Sequence, residues 1–136
     1  MTGTRHKART IALQALYEAD CVTHSAEVVV ERLLAETDLT EENNNFVGDL
    51  VRGVVQKRDE IDQNIQRFAP AWPVDQIAII DRNILRLAIF EILFDNKVPV
   101  KVAVSEAVEL AKTFGSQNSA KFVNGVLGTV STLASQ

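Results

Sequence analysis

The sequence has no run approaching the ~20 consecutive apolar residues that a membrane span needs. Its start, Met1 to Lys7, is polar and basic, without the apolar stretch of a signal peptide. A soluble, cytoplasmic protein is the expectation. Cysteine is nearly absent: Cys21 stands alone and cannot close an internal disulfide, which suits a reducing compartment. His6 and His24 fall in polar stretches, so neither is a natural base for a Cys21 nucleophile. There is no Gly-rich phosphate loop, no His-Glu-x-x-His pair and no Cys pair. Asp59, Glu60 and Asp62 cluster without His or Cys nearby and read as a solvated helix face. No catalytic activity, cofactor or metal is expected. Nothing alternates with period two over a useful length, so little or no sheet is expected either.

What remains is helical pattern. Ala8, Ile11, Ala12, Ala15, Leu16 and Ala19 recur at spacings of three and four, and the polar Asp20 to His24 ends that helix. Val28, Val29 and Leu33 predict a second helix, with Ser25 as its cap. Thr40 before Glu41 and Glu42 predicts a third: a capping hydroxyl, then acids facing the positive end of the helix dipole. Its apolar positions run from Phe46 through Val55, and the pattern extends through Ile61 and Ile65 to Phe68. Pro70 and Pro73, flanking Trp72, stop it. This is the one clear internal break, and it predicts one domain of two sub-bundles, approximately 1–70 and 71–136. Beyond it, Ile77 to Leu93 gives a strongly amphipathic helix ending near Asp95-Asn96. Pro99 opens another that stops at Phe114-Gly115, and Ser116 is placed to cap the last, which carries Phe122, Val123, Val126 and Leu127. Arg86, Glu91 and Glu106 lie in apolar helical stretches. Buried carboxylates need partners, so Arg86 is expected to pair with Glu91 or Glu106.

The net charge of −4 argues against nucleic acid, but its distribution does not. Residues 1–17 carry +3 and no acid, residues 110–136 carry +2 and no acid, and the middle carries −9. The basic ends are either solvated helix termini or, if they meet, one phosphate-attracting patch. Arg5 and Arg9 are four apart, on one face of a helix that starts early. Positive charge there opposes the helix dipole, a cost that an external anion would explain. Lys121 and Phe122, beside Asn118, Ser119 and Asn124, set a cation and a ring among groups able to read base edges. Phe122 is equally readable as a core residue.

These segments resemble the NusB family. Arg5-His6-Lys7-Ala8-Arg9 followed by Ala12-Leu13-Gln14-Ala15-Leu16-Tyr17 resembles the arginine-rich start of its members. The stretch from Ile80 to Glu91 resembles their central helix. Val98 to Lys112, with Lys121-Phe122-Val123-Asn124-Gly125-Val126-Leu127, resembles their C-terminal signature. From Val22 to Pro73 the match is of helical pattern alone. The resemblance implies an all-α fold of about seven helices in two packed sub-bundles. It implies a non-catalytic transcription antitermination factor that binds the boxA element of ribosomal RNA leader transcripts. Its partners would be NusE, the ribosomal protein that doubles as a transcription factor, and the RNA polymerase antitermination complex.

Carried over by position, Arg5, Lys7 and Arg9 would contact phosphates, with His6 a weaker candidate. Phe122 would meet a base, and Lys121 and Asn124 would add polar contacts. Gln14 and Arg86 are either RNA contacts or structural residues. Tyr17, Asp75 and Asp81 are candidates for the NusE surface, and an acidic middle suits a basic partner. His6 and Lys7 interrupt what is often a denser arginine run, which would weaken phosphate binding. Asn118 stands where relatives often carry an acid, which would strengthen RNA binding, and Gly128 also replaces a common acid. Two other readings stand beside this one: a dimeric, protein-binding helical module whose RNA surface is masked or lost, and the NusB-like domain of a ribosomal RNA cytosine methyltransferase.

Overall fold

The computed structural model describes residues 2–22 and 24–134. Among them are seven α-helices and no strand, as the sequence predicts. No helix among the described residues is long and apolar enough to cross a membrane. The chain forms two compact units, Met1–Gln56 and Lys57–Gln136.

The first unit holds α1 (Thr2–Val22), α2 (Ala26–Ala35) and α3 (Glu41–Gln56), each packed on the other two. The predicted stripe of α1 is buried at Ala8, Ile11, Ala12, Ala15 and Leu16. Val29 and Val30 of α2 and Val47, Leu50, Val51 and Val54 of α3 complete the core. The α3 cap forms as predicted: the Asn43 N–H donates to Thr40 Oγ1 at 3.2 Å. Glu18 of α1 accepts hydrogen bonds from Arg32 and His24. Desolvation alone would raise its carboxyl, but those two donors outweigh it and hold it below the usual carboxylate value of 4.5. This tie between α1 and α2 is fully present above that value and is lost on acidification.

The third helix does not run on to Phe68. It stops at Gln56, Lys57 leaves helical geometry at φ −104° and ψ 12°, and α4 (Arg58–Phe68) starts afresh. From Val55 to Glu60 every residue is exposed, so no buried side chain there supports a continuous helix.

In the second unit α4 is followed by a single 3-10 turn (Val74–Gln76), α5 (Ile79–Ile89), a π-helical turn (Phe90–Asp95), α6 (Val100–Phe114) and α7 (Ser119–Ala134). The Pro70–Pro73 break lies inside this unit, because Ile61 and Ile65 of α4 are fully buried and α4 packs on α5 and α7. Helix α5 is central, touching α4, α6 and α7, and every residue from Asn83 to Ile89 is buried. Asn96 ends the helical run in left-handed geometry (φ 55°), its N–H donating to Glu91 O at 3.1 Å. A Cβ at Gly115 would lie 2.4 Å from Ser119 Cβ and Oγ. Only glycine permits that approach. It lets the Ser116 N–H donate to Ser119 Oγ at 2.8 Å and fixes the start of α7.

Burying Arg86 dictates its surroundings. Its side chain is 4% exposed and meets Asp62 of α4 through two parallel hydrogen bonds, Nε to Oδ1 at 2.8 Å and Nη2 to Oδ2 at 3.0 Å. Nη1 donates to Asn83 Oδ1 at 3.3 Å. Asp62, read from sequence as part of a solvated cluster, is instead the acid that neutralises this buried cation. Asp62→Ala is expected to cost about 3 kcal/mol in chemical denaturation, because it strands a buried charge, and Asp62→Asn clearly less. A loss well under 1 kcal/mol for the alanine variant would show that Asp62 does not hold Arg86.

Candidate nucleic-acid interface

In the first unit, α1 carries Arg5, His6, Lys7, Arg9, Gln14 and Tyr17. The Arg5 guanidinium sits 3.9 Å over the Phe46 ring of α3 and donates to Asn43 Oδ1 at 2.8 Å, with Glu42 at 3.8 Å. Arg9 lies 5.2 Å from the same ring centre. The two arginines, one turn apart, thus share one aromatic ring. They are not equivalent toward solvent: the Arg5 side chain is 38% exposed, whereas Arg9 is 2% exposed and built into the core. Lys7 and Gln14 are exposed and His6 is half-buried. Tyr17 is 41% exposed, and a hydrogen bond to Cys21 pushes its phenol above the ordinary value of 10.0. The ring therefore stays neutral over the physiological range.

In the second unit, the first turns of α7 present Lys121 and Asn124 to solvent, with Phe122 half-buried between them. Phe122 does not lie in the core. Its ring lines an open groove with Phe68, Trp72, Asn118, Lys121 and Gly125. An adjoining cavity shares Trp72, Asn118 and Phe122 and adds Asp81. Arg86, by contrast, is committed to Asp62 and Asn83. Asp75 is exposed on the 3-10 turn. Asp81 is 8% exposed, and its Oδ1 is buried with no hydrogen-bond partner. Its place in the first turn of α5, where the helix dipole favours negative charge, lowers the cost of that orphaned oxygen. Among the described residues no group of His, Cys, Asp or Glu is arranged to hold a metal ion.

Two ring residues were not singled out for a site from sequence. Phe46 reads as an ordinary core position of α3, and nothing local joins it to arginines some forty residues earlier. Trp72 reads as part of a break between helices, yet it is 54% exposed; a tryptophan between two prolines was the available signal. A double-mutant cycle of Arg5→Ala and Phe46→Leu is expected to give a coupling of about 0.5–1 kcal/mol in thermal or chemical unfolding, the size of a partly exposed cation–π pair. Strict additivity would mean that ring and cation merely lie close.

The chain as a whole is similar to known proteins. The model of the NusB family matches residues 6–132. The transcription antitermination protein NusB of Dehalococcoides mccartyi (strain ATCC BAA-2266 / KCTC 15142 / 195) is 59% identical, covering 96% of this chain and 92% of its own length. The protein of the same name from Chloroflexus aggregans is 46% identical, with 97% and 89% covered. Among solved structures, NusB of T. maritima superposes with a TM-score of 0.88 at 32% identity, over 94% of this chain and 90% of that one. A crystal structure of antitermination factors NusB and NusE in complex with dsRNA contains a chain that superposes at 0.89 with 25% identity, over 98% and 99%.

Proposed function

The chain belongs to the NusB family, and from that premise we propose that it is a non-catalytic, RNA-binding transcription antitermination factor that acts with NusE. Its RNA is of the boxA type, from ribosomal leader transcripts, and its setting is the antitermination complex of RNA polymerase. One observation carries the reading: the Phe122 ring stands half-exposed in an open groove whose lining includes the cation Lys121 and no carboxylate. A residue needed only for the core would have been buried. A ring beside a cation and amides is what an unpaired base on a phosphate chain requires.

The phosphate contacts fall to Lys7, which is exposed, and to Arg5, which Phe46 and Asn43 hold in a fixed pose with part of its surface open. Arg9 supports that pose from within the core. Asn124 adds a polar contact and Gln14 a further exposed one. Arg86 serves the fold. Tyr17 and Asp75, both exposed, belong to the NusE surface, and Asp81, although mostly buried, adds negative charge that suits a basic partner.

The deciding experiment is fluorescence anisotropy of a short boxA-type RNA, with and without NusE, at two salt concentrations. Binding that tightens with NusE and weakens with salt supports the proposal. No binding in either condition favours a protein-binding module without RNA affinity. Changing Arg5 and Lys7 together to Gln is expected to flatten the salt slope by about 1.4, at ~0.7 per phosphate contact on single-stranded RNA. An unaltered slope removes this part of α1 from the interface. Phe122→Ala is expected to cost ~1–3 kcal/mol of RNA affinity. Unchanged affinity with lowered thermal stability would return Phe122 to a purely structural role.

A further inference from the structure

We infer that Trp72 is a second base-stacking platform, facing the same groove as Phe122, and that Gly125 keeps the space for the base open. The inference rests on the RNA-binding reading above and extends it to residues that reading does not use.

The first observation is how Trp72 is held. Its backbone is fixed from three directions. The Trp72 N–H donates to Ala69 O at 3.2 Å, Gln66 Nε2 donates to Trp72 O at 3.3 Å, and Pro70 and Pro73 restrict the segment on either side. The residue is nonetheless 54% exposed. A rigid loop that keeps its largest aromatic side chain largely in water does little for the core. It does limit the conformational entropy lost when a flat ligand stacks on the indole.

The second observation is the chemistry of the groove. Besides Phe68, Trp72 and Phe122, its lining has one cation, Lys121, one side-chain amide, Asn118, and small or apolar residues. No carboxylate opposes a phosphate there, and Lys121 is the one charged residue on α7. Asp81 lines the adjoining cavity instead, which directs a phosphate toward the Lys121 side. This combination of stacking faces, a cation and a hydrogen-bonding amide matches a single unpaired nucleotide of a single-stranded RNA.

The third observation is Gly125. A Cβ built there meets no atom within 4 Å, so no neighbour in the free protein requires glycine. Within a helix, glycine is disfavoured relative to alanine. Gly125 lines the groove, and a base lying on it would require the missing methyl. Gly128 supplies a control: it is also on α7 and equally unobstructed, but it does not line the groove.

Trp72 is the only tryptophan in the chain, so its fluorescence reports on this site alone. Titration with a short single-stranded boxA-type RNA is expected to quench that fluorescence with the same midpoint as the anisotropy. Trp72→Ala is expected to weaken RNA binding roughly 5- to 150-fold, the range of one lost stacking contact. Trp72→Phe should recover most of the loss, and the exposure of the side chain leaves thermal stability little changed. Gly125→Ala is expected to raise Tm while weakening RNA binding, and Gly128→Ala to raise Tm with RNA binding intact. The inference is overturned if wild type binds RNA and Phe122→Ala weakens it, while Trp72→Ala and Gly125→Ala bind as wild type. It is also overturned if the fluorescence answers to NusE and not to RNA, which would assign the groove to protein. Absence of RNA binding by the wild type would instead sink the RNA-binding reading itself, and this inference with it.

Discussion

A guanidinium taken out of water needs a carboxylate in fixed geometry, and much of the second unit follows from that requirement. Arg86 sits on the helix that touches α4, α6 and α7, in a run of residues buried on all sides. Its two-pronged bond to Asp62 reaches across to α4 and sets where that helix lies on α5. The loop holding Trp72 leaves the end of α4, so the position of the groove depends on a charge pair that no ligand need touch. The pair contributes little net stability compared with apolar residues of the same shape, but it penalises any arrangement that leaves Arg86 alone. Here its role is to fix geometry.

The first unit uses arginine differently. The two α1 arginines are arranged around one ring, and the inner one, Arg9, is almost without solvent contact. In the proposed role, holding Arg5 against Phe46 and Asn43 means that an arriving phosphate would meet a side chain already ordered, which reduces the rotamer entropy lost on binding. Glu42 at 3.8 Å competes for the same charge, but it is highly exposed and readily screened. Lys7 has no such support. In the proposed role it would contribute charge, and Arg5 charge and direction.

The helices were legible because their apolar spacings, the Thr40 cap, the Pro99 start and the Gly115 stop act within a few residues. The α3–α4 break was not, since Val55 to Glu60 contains neither Gly nor Pro; what fails there is tertiary support, which a local pattern does not contain. The same limit governed Arg86. Its need for an acid was readable, but the choice of Asp62, twenty-four residues earlier, depends on how α4 packs. Site residues followed this division as well. Lys7, Lys121 and Phe122 stood out as candidates by type and company. Phe46 and Trp72 have roles set by neighbours remote in sequence, and Arg9, alike in pattern to Arg5, differs from it only through burial.

On the proposed reading, the two units offer RNA two physically different handles. The α1 handle is charge on an ordered frame, and its contribution falls as added salt shrinks the entropy gained when counterions are released on binding. The α7 handle is mainly stacking, which needs a bare ring, a rigid wall and room for a base, and which salt touches far less. Charge attracts any strand, whereas a groove admits only an unpaired base. A chain of net charge −4 has weak general attraction for nucleic acid. Such a chain gains selectivity if affinity depends on filling the groove, because a duplex offers phosphates but withholds its bases. On the proposed reading, selection for single-stranded RNA resides in the shape around Phe122 and not in the arginines that first suggested RNA.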